Sequence, residues 1–421
     1  MRILYIATDV TLPAMNGGSR RAYETAKIFH RFGHRSVVLV DRKKGERSFE
    51  EYEGIRVYRT KLPEIGHQMR EMIAKIRGLF IKRNNTDFSY YSDKPSKYDT
   101  YFPHLMQHDL RWKIQDFYRH KLPLHKWLKI VPAAYRLFQI IKREKIDVII
   151  ERGPSYGVGA LISKLFHILY IIDFIDIMYC NLALRCADAV LSYFTTIQIP
   201  QFVDRNKIQL VYTCADTELF QPRDKNLVLL KRYGFHKDDF VIIYVGGMYP
   251  WHGLEIIVQS AELIVQEGYT EVKILLVGDG VVRPQMEQLV VQKELQDYVK
   301  FVGVVDFEEV PSYINSADVA LSLNTGDSIG FKLIEYMASG IPIIATNADI
   351  LPFAGKENRE MLYVNQNDPI HLKEKILYLL TNPDIAHSIG RNARKRVENR
   401  YRWEVHYWNI LNAIKSSIQQ K

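Results

Sequence analysis

The chain reads as an α/β protein of two doubly wound parallel domains in tandem. Its 421 residues exceed what one ordinary hydrophobic core serves, so two domains of roughly 200 residues are the natural division. The succession strand, glycine-containing turn, helix, strand opens at Arg2 and opens again at Phe240. Around both openings short β-branched runs alternate with amphipathic stretches, the pattern of parallel sheets joined by crossover helices. Composition agrees, since 47% hydrophobic and 25% charged residues are the shares of a folded globular protein and exclude disordered and fibrous classes.

In the first half, Arg2 to Thr8 is an apolar run of strand length closed by Asp9 and Pro13. Asn16-Gly17-Gly18-Ser19 predicts a turn, followed by a helix from about Arg20 to Phe32 that Gly33 ends. Val37–Val40 and Ile55–Tyr58 predict strands. From Pro63 to Leu137 the alternation is lost: Ile65 to Phe80 reads as a helix, Asn84 to Pro103 as a polar, Tyr-rich loop, and His104 to Phe138 as basic helical segments. It resumes with a strand from Ile146 to Glu151 closed by Arg152-Gly153-Pro154, a helix to about Phe166, and a strand from Leu169 to Asp173. A helix starting at Leu182 and strands Ala189–Phe194 and Ile208–Tyr212 complete the domain. The first domain is expected over 1–213, with a basic and aromatic insertion at about 64–145, and the second over 214–401.

The second half restarts the same succession. Strand Phe240–Val245 leads through Gly246-Gly247 and the loop Met248–Gly253 into a helix from Leu254 to about Gln266. Strand Lys273–Val277 closes on Gly278-Asp279-Gly280 and is followed by a helix to about Lys293, strand Val299–Val302, a short helix Val310–Asn315 and strand Val319–Leu323. The stretch Asp327–Thr346 then reads as loop, helix Phe331–Ala338, breakers Ser339, Gly340 and Pro342, and a strand around Ile343 and Ile344. At the end, Glu398 to Ile418 sets Trp403, Tyr407, Ile410, Leu411 and Ile414 at helical spacing, one apolar stripe, so a helix is expected over 402–421.

Several function classes drop out. The turn NGGSRR is not G-x-G-x-x-G, so a nicotinamide enzyme is not indicated; its paired glycines fit either a close anion contact or a plain tight turn. His30 and His34 are four apart, but no carboxylate motif accompanies them, and a surface pair is the better reading. Cys180, Cys186 and Cys214 form no C-x-x-C, which fits reduced thiols in a cytosolic protein. The N-terminus is a strand pattern and not a signal peptide. Gly157–Cys180 is the most apolar window, yet it contains Lys164, His167, Asp173 and Asp176, so a buried helix and strand are expected, not a membrane span. Of the net charge of +9, a net +8 falls between Arg111 and Lys145, where ten Lys and Arg face two acids among six aromatic residues. That window fits an anionic membrane surface or a solvated helix face, and less well nucleic acid, which is not expected as a partner.

The chemistry concentrates at Asp327–Thr346. A short helix entered from a Gly-containing loop presents unpaired N–H groups and the positive end of its dipole, a ready phosphate site. Lys332 adds a positive charge to that turn, and Glu335, about one turn further on, offers an acceptor-only carboxylate to sugar hydroxyls. As residues alone, the two read better as a solvated ion pair on an ordinary crossover helix.

The segment resembles the acid-x7-acid signature of retaining family 4 glycosyltransferases (glycosyl transferases group 1) of the GT-B fold, with Asp327 where the family usually has Glu, and Glu335 as the second acid. The text K-x-x-E-Y-M-A-x-G-x-P, the loop P-x-x-x-G-G before the first helix, and VYTCADTELFQP before the linker are similar to that family too. The resemblance covers nearly the whole chain and implies two Rossmann-like domains facing across a cleft, with the 402–421 helix crossing back to the first domain. It implies that Glu335 holds the ribose, the amides around Gly330 and Phe331 the diphosphate, Asp327 the donor sugar, and Val304 with its neighbours the base. Gly17 and Gly18 would meet the diphosphate from the first domain. Gly247 and His252 stand where the family often has an Arg and a Lys on the phosphates, and Lys332 would supply positive charge there. Asp173 or Asp176 would fill the acceptor-side polar role, or cap a helix.

The resemblance thus implies an enzyme with no cofactor, moving sugar from a nucleotide-diphosphate sugar to a hydroxyl acceptor, lipid-linked or a polysaccharide or glycan precursor, and since the sequence has no Asp-x-Asp ligand motif, catalysis without a metal is expected. It would work in the cytoplasm, in peripheral contact with the membrane. The alternatives on the same fold are a catalytically weakened binding or regulatory subunit and a sugar-nucleotide epimerase.

Overall fold

The structure, a computed structural model, describes residues 1–7, 17–42, 45–60, 124–152, 157–174, 181–193, 199–323, 330–347 and 354–419, with backbone only for 17–19, 41 and 124–133. It divides into two compact units, Met1–Val211 with Tyr407–Lys421, and Tyr212–His406.

The first unit is built on an eight-stranded sheet. In chain order its elements are β1 (Arg2–Ala7), α1 (Gly17–Arg31), β2 (Arg35–Asp41), β3 (Phe49–Tyr52), β4 (Ile55–Thr60), α2 (Leu124–Glu144), β5 (Val148–Arg152), α3 (Val158–Phe166), β6 (Leu169–Phe174), α4 (Asn181–Cys186), β7 (Ala189–Ser192) and β8 (Ile208–Leu210). The strand order is β3-β4-β2-β1-β5-β6-β7-β8. Every pairing is parallel except the β3–β4 hairpin. Sequence reading did not find β3. Its Glu50 and Glu51 hide a strand signal, and its turn depends on Glu53 and Gly54, both at positive φ (48° and 75°). Helix α1 also begins earlier than expected: Gly17 and Gly18 are its first residues and not a turn before it. First-turn amides have no intrahelical acceptor, so glycine costs less there than in a helix interior.

The second unit has a six-stranded, all-parallel sheet. Its elements are α5 (Leu227–Arg232), β9 (Phe240–Val245), α6 (Leu254–Gln266), β10 (Val272–Val277), α7 (Arg283–Gln292), β11 (Val299–Gly303), α8 (Val310–Asn315), β12 (Val319–Ser322), α9 (Phe331–Ala338), β13 (Ile343–Thr346), β14 (Leu362–Val364), α10 (Pro369–Thr381) and α11 (Pro383–Arg400), followed by α12 (Trp403–Gln419), which the units share. The strand order is β11-β10-β9-β12-β13-β14. Strand alternation splits the core in two. Val241, Ile243, Leu275, Val277, Ala320, Ile343 and Ala345 pack on one face, and Ile242, Tyr244, Ile274, Leu276, Val319, Leu321 and Ile344 on the other. Both faces are covered, which is why these strands read as unbroken apolar runs.

The helix expected over 402–421 is α12, and it is separated from α11, which ends at Arg400. Tyr401 is fully buried, its carbonyl accepts from Ala215 N at 2.9 Å, and Arg402 forms a β-bridge with Ala215, so a backbone acceptor that a continuous helix would use is taken by another segment. β14, α10 and α11 lie in a stretch to which the sequence assigned no element. The helix of Ile65–Phe80, the loop of Asn84–Pro103, residues 111–123 of the basic window, Asp176, Cys180 and Asp327 lie outside the described residues.

Candidate nucleotide-sugar site

The site in the second unit is organised by the carboxyl ends of β9, β10 and β11. Gly278, just after β10, has φ 122°, and a Cβ there would lie 2.1 Å from Gly246 O, so only glycine allows this approach of the two loops. Met248 N donates to Asp279 O (2.9 Å) and Gly278 N to Gly303 O (2.7 Å), which ties the three strand ends together.

α9 meets this rim with its first turn. Gly330 is extended (φ −73°, ψ 160°), and the helix start has no side-chain cap. Tyr336, fully buried, accepts from Val245 N through its hydroxyl at 2.7 Å and so pins the helix to the last residue of β9. Ser339 closes the helix by donating from both N and Oγ to Glu335 O at 2.9 Å. Glu335 is 5% exposed.

Lys332, the second residue of α9, turns back so that its Nζ lies 4.4 Å from the centre of the Tyr244 ring. The Nζ is buried and has no hydrogen-bond partner among the described residues. Burial lowers its pKa to about 7. The ring quadrupole offsets only part of the lost hydration. Tyr244 OH donates to Gly247 O at 2.6 Å, and His252 Nδ1 contacts the same carbonyl and lies 3.0 Å from Tyr244 OH. Burial, and then the charge of Lys332, lower the His252 pKa to about 4 against the opposing pull of the Gly247 carbonyl. His252 is therefore neutral at pH 7, a hydrogen-bonding support for the glycine loop and not a counter-charge.

The other sequence-selected residues are placed as follows. Gly247 lies against Tyr249, whose ring would meet a Cβ at 2.6 Å. Val304 is 78% exposed beyond β11, next to Gly303. Phe331 stacks on Trp403, centroids 6.3 Å apart. Lys332, Glu335, Gly330, Phe331, Gly247, His252 and Val304 all belong to the second unit, while Gly17, Gly18 and Asp173 belong to the first. Asp173 is 1% exposed at the carboxyl end of β6 and accepts from Tyr5 OH; burial raises its pKa, opposed by Arg21, Tyr5 and Arg152. His34 bonds the N-terminal amine and Tyr407 OH, and no group of His, Cys, Asp and Glu is placed to hold a metal among the described residues.

Sequence reading missed Tyr244 and Tyr336. The available signal was a phenol at the end of an otherwise aliphatic parallel strand, next to Gly246-Gly247, where an apolar residue would have packed as well.

Residues 228–396 match the family described as Glycosyl transferases group 1. Among curated proteins the chain is similar to N-acetyl-alpha-D-glucosaminyl L-malate synthase of Bacillus anthracis, 28% identical over 51% of this chain and 58% of that protein. It is also similar to alpha-monoglucosyldiacylglycerol synthase of Acholeplasma laidlawii, 26% identical over 39% of this chain and 41% of that one. The matched stretch thus spans about half the length of these relatives. Among solved structures, sucrose-phosphate synthase from Thermosynechococcus elongatus aligns over 100% of both chains with TM-score 0.72 at 17% identity. Anabaena HepE in complex with UDP and glucose aligns over 98% of this chain and 99% of its own, with TM-score 0.69 at 16% identity. Sequence and fold converge: the chain carries a glycosyl transferases group 1 (GT4) domain over residues 228–396, and its two parallel sheets are those of GT-B glycosyltransferase structures.

Proposed function

We propose that the chain is a retaining glycosyltransferase that moves a sugar from a nucleotide-diphosphate sugar to a hydroxyl acceptor. The observation that carries this reading is the buried Lys332 ammonium, with no hydrogen-bond partner among the described residues, at the uncapped first turn of α9. A cation held out of water without an anion is costly, and a bound diphosphate removes that cost.

On this reading the first-turn amides at Gly330 and Phe331, with Lys332, hold the diphosphate, and Glu335 takes the ribose hydroxyls. Gly247 and neutral His252 shape the loop beside the phosphates, Val304 borders the base, and Asp327 contacts the donor sugar. In the first unit, Asp173 supplies a carboxylate at the strand ends. As the glycosidic bond breaks, negative charge grows on the leaving phosphate, where preorganised amides and the ammonium stabilise it more than they stabilise the ground state. No metal ion is required for that role. A uridine diphosphate sugar is the first donor to test, because the HepE structure holds UDP. The acceptor is a sugar or lipid-linked hydroxyl compound met at the cytoplasmic face of a membrane.

The test is thermal stabilisation by uridine, guanosine and adenosine diphosphates and their sugar conjugates. A ligand at about 100 times its dissociation constant adds about 2.7 kcal/mol. The parent chain is expected to respond to one base class and Glu335→Ala to lose most of that response. No response to any nucleotide refutes the reading. Transfer lost in chelator and restored by manganese refutes its metal independence.

A further inference from the structure

The cations of α11 fall into two groups. Arg394 and Arg396 are paired: Arg394 Nε donates to Glu398 at 2.7 Å, and Arg396 lies 3.9 Å from Glu360. His387, Arg391 and Lys395 stand at i, i+4 and i+8, so they share one face of the helix, and all three are exposed. Among the described residues no carboxylate pairs with Arg391 or Lys395. Two like charges four residues apart on one helix repel each other, so this face holds positive charge that the fold itself does not use.

That face borders a cleft of about 400 Å³, lined also by Pro222 and by Gly340 in the turn after α9. The volume is that of a small-molecule pocket. Its walls are held by close backbone packing: a Cβ on Gly390 would lie 2.0 Å from Gly340 O, and one on Gly340, at φ 70°, would lie 3.0 Å from Pro222. Arg394 lines the same cleft and reaches out of it, donating through Nη1 to Ala338 O and Phe220 O, each at 2.6 Å, and through Nη2 to Thr217 O at 3.1 Å. It thereby caps the last residue of α9 and offsets the negative end of that helix beside the cleft. The one acid lining the cleft, Glu398, is the acid Arg394 already engages. Two permanent positive charges, an imidazole and a small apolar wall are what the cleft presents.

We propose that the cleft between α11 and the turn after α9 is a second anion site, which takes a small soluble phosphate monoester. The phosphate lies between Arg391 and Lys395, with His387 as a further hydrogen-bond partner, and the organic body rests against Pro222 and Gly340. Arg391 offers paired N–H donors to two phosphate oxygens and Lys395 a point charge. This site is separate from the candidate diphosphate site. Lys332 and the first-turn amides stand at the other end of the eight-residue α9, about 12 Å away along the helix. The inference is independent of the glycosyl-transfer reading, because binding here requires no donor.

The test is calorimetric titration of the full chain with phenyl phosphate, inorganic phosphate and phenol, in the parent and in the Lys332→Met background that removes the ammonium at the far end of α9. Phenyl phosphate is expected to bind in both, more tightly than inorganic phosphate and more weakly as salt is raised, and phenol not to bind. The double variant Arg391→Ser, Lys395→Ser in the Lys332→Met background is expected to lower affinity for phenyl phosphate about tenfold or more. Both positions are exposed, and an unchanged melting temperature is the control for folding. Hydrogen exchange on the parent chain locates the ligand without any variant: phenyl phosphate is expected to slow exchange at Gly340 and across 387–395. Slowing confined to 330–333, a double variant that binds like its background, or loss of binding in Lys332→Met overturns the proposal. So does inorganic phosphate or phenol that binds as well as phenyl phosphate.

Discussion

Replacing Lys332 by Met keeps the apolar stem over Tyr244 and removes the buried charge. In the free protein a lysine whose pKa falls from 10.5 to about 7 carries a charging penalty of at most about 5 kcal/mol, which relaxation and water penetration reduce to about 2 kcal/mol or more. The unfolded chain binds this proton more tightly than the folded one. The penalty is therefore complete below pH 7, declines between pH 7 and 10.5 as the folded protein's lysine deprotonates first, and has vanished above that range. Lys332→Met should accordingly raise the stability of the ligand-free chain by about 2 kcal/mol at pH 6, some 4 to 8 °C in melting temperature for a domain of this size, with a smaller gain at pH 9.5. The same substitution should abolish stabilisation by the nucleotide sugar. In the parent chain, affinity for a nucleotide sugar should be nearly flat below pH 7 and weaken roughly tenfold by pH 8 and further by pH 9, because binding then requires proton uptake by Lys332. Urea unfolding at pH 6 and 9.5 and titrations from pH 6 to 9 measure both effects. A Met variant less stable than its parent at pH 6, or parental affinity unchanged from pH 7 to 9, would refute the reasoning.

Three further outcomes follow from the same geometry. His252 is held neutral by burial, with a folded pKa of about 4 against the ordinary 6.5, so its contribution to stability is present above pH 6.5 and is lost as pH falls towards 4; His252→Gln should flatten that acid limb, as followed by melting temperature between pH 4 and 7. Tyr336→Phe leaves the Val245 amide without its phenol acceptor and should cost about 1 to 3 kcal/mol in urea unfolding; no measurable change would mean the amide finds another partner. Gly278→Ala places a methyl 2.1 Å from Gly246 O at φ 122°, so a loss of at least about 2 kcal/mol is expected together with weaker nucleotide binding. A fully stable Gly278→Ala would show that the two loops can part freely.

Most strands and helices were legible from periodicity because both sheets are buried on both faces, so β-branched runs between glycine turns had few other meanings. The readings that failed did so where a distant segment took over the local preference. α11, which the sequence did not assign, stops just before the expected amphipathic helix because the Tyr401 carbonyl accepts from Ala215 N. Leu161 and Leu165 counted as core by hydropathy, and only the packing of α3, with its other residues turned inward, put them outside.

At the candidate site the division is similarly sharp. By itself the sequence determined that a glycine-bounded helix with Lys332 and Glu335 one turn apart stands between two strands of a parallel sheet, because spacing and breakers are local properties. Only the tertiary structure decided what those groups are chemically. That Lys332 lies over Tyr244 and loses its water, that His252 is neutral, and that Tyr336 fixes the helix to β9 all depend on side chains brought together from up to 91 residues away. Charge state follows from desolvation, and desolvation belongs to the assembled packing and to no residue alone.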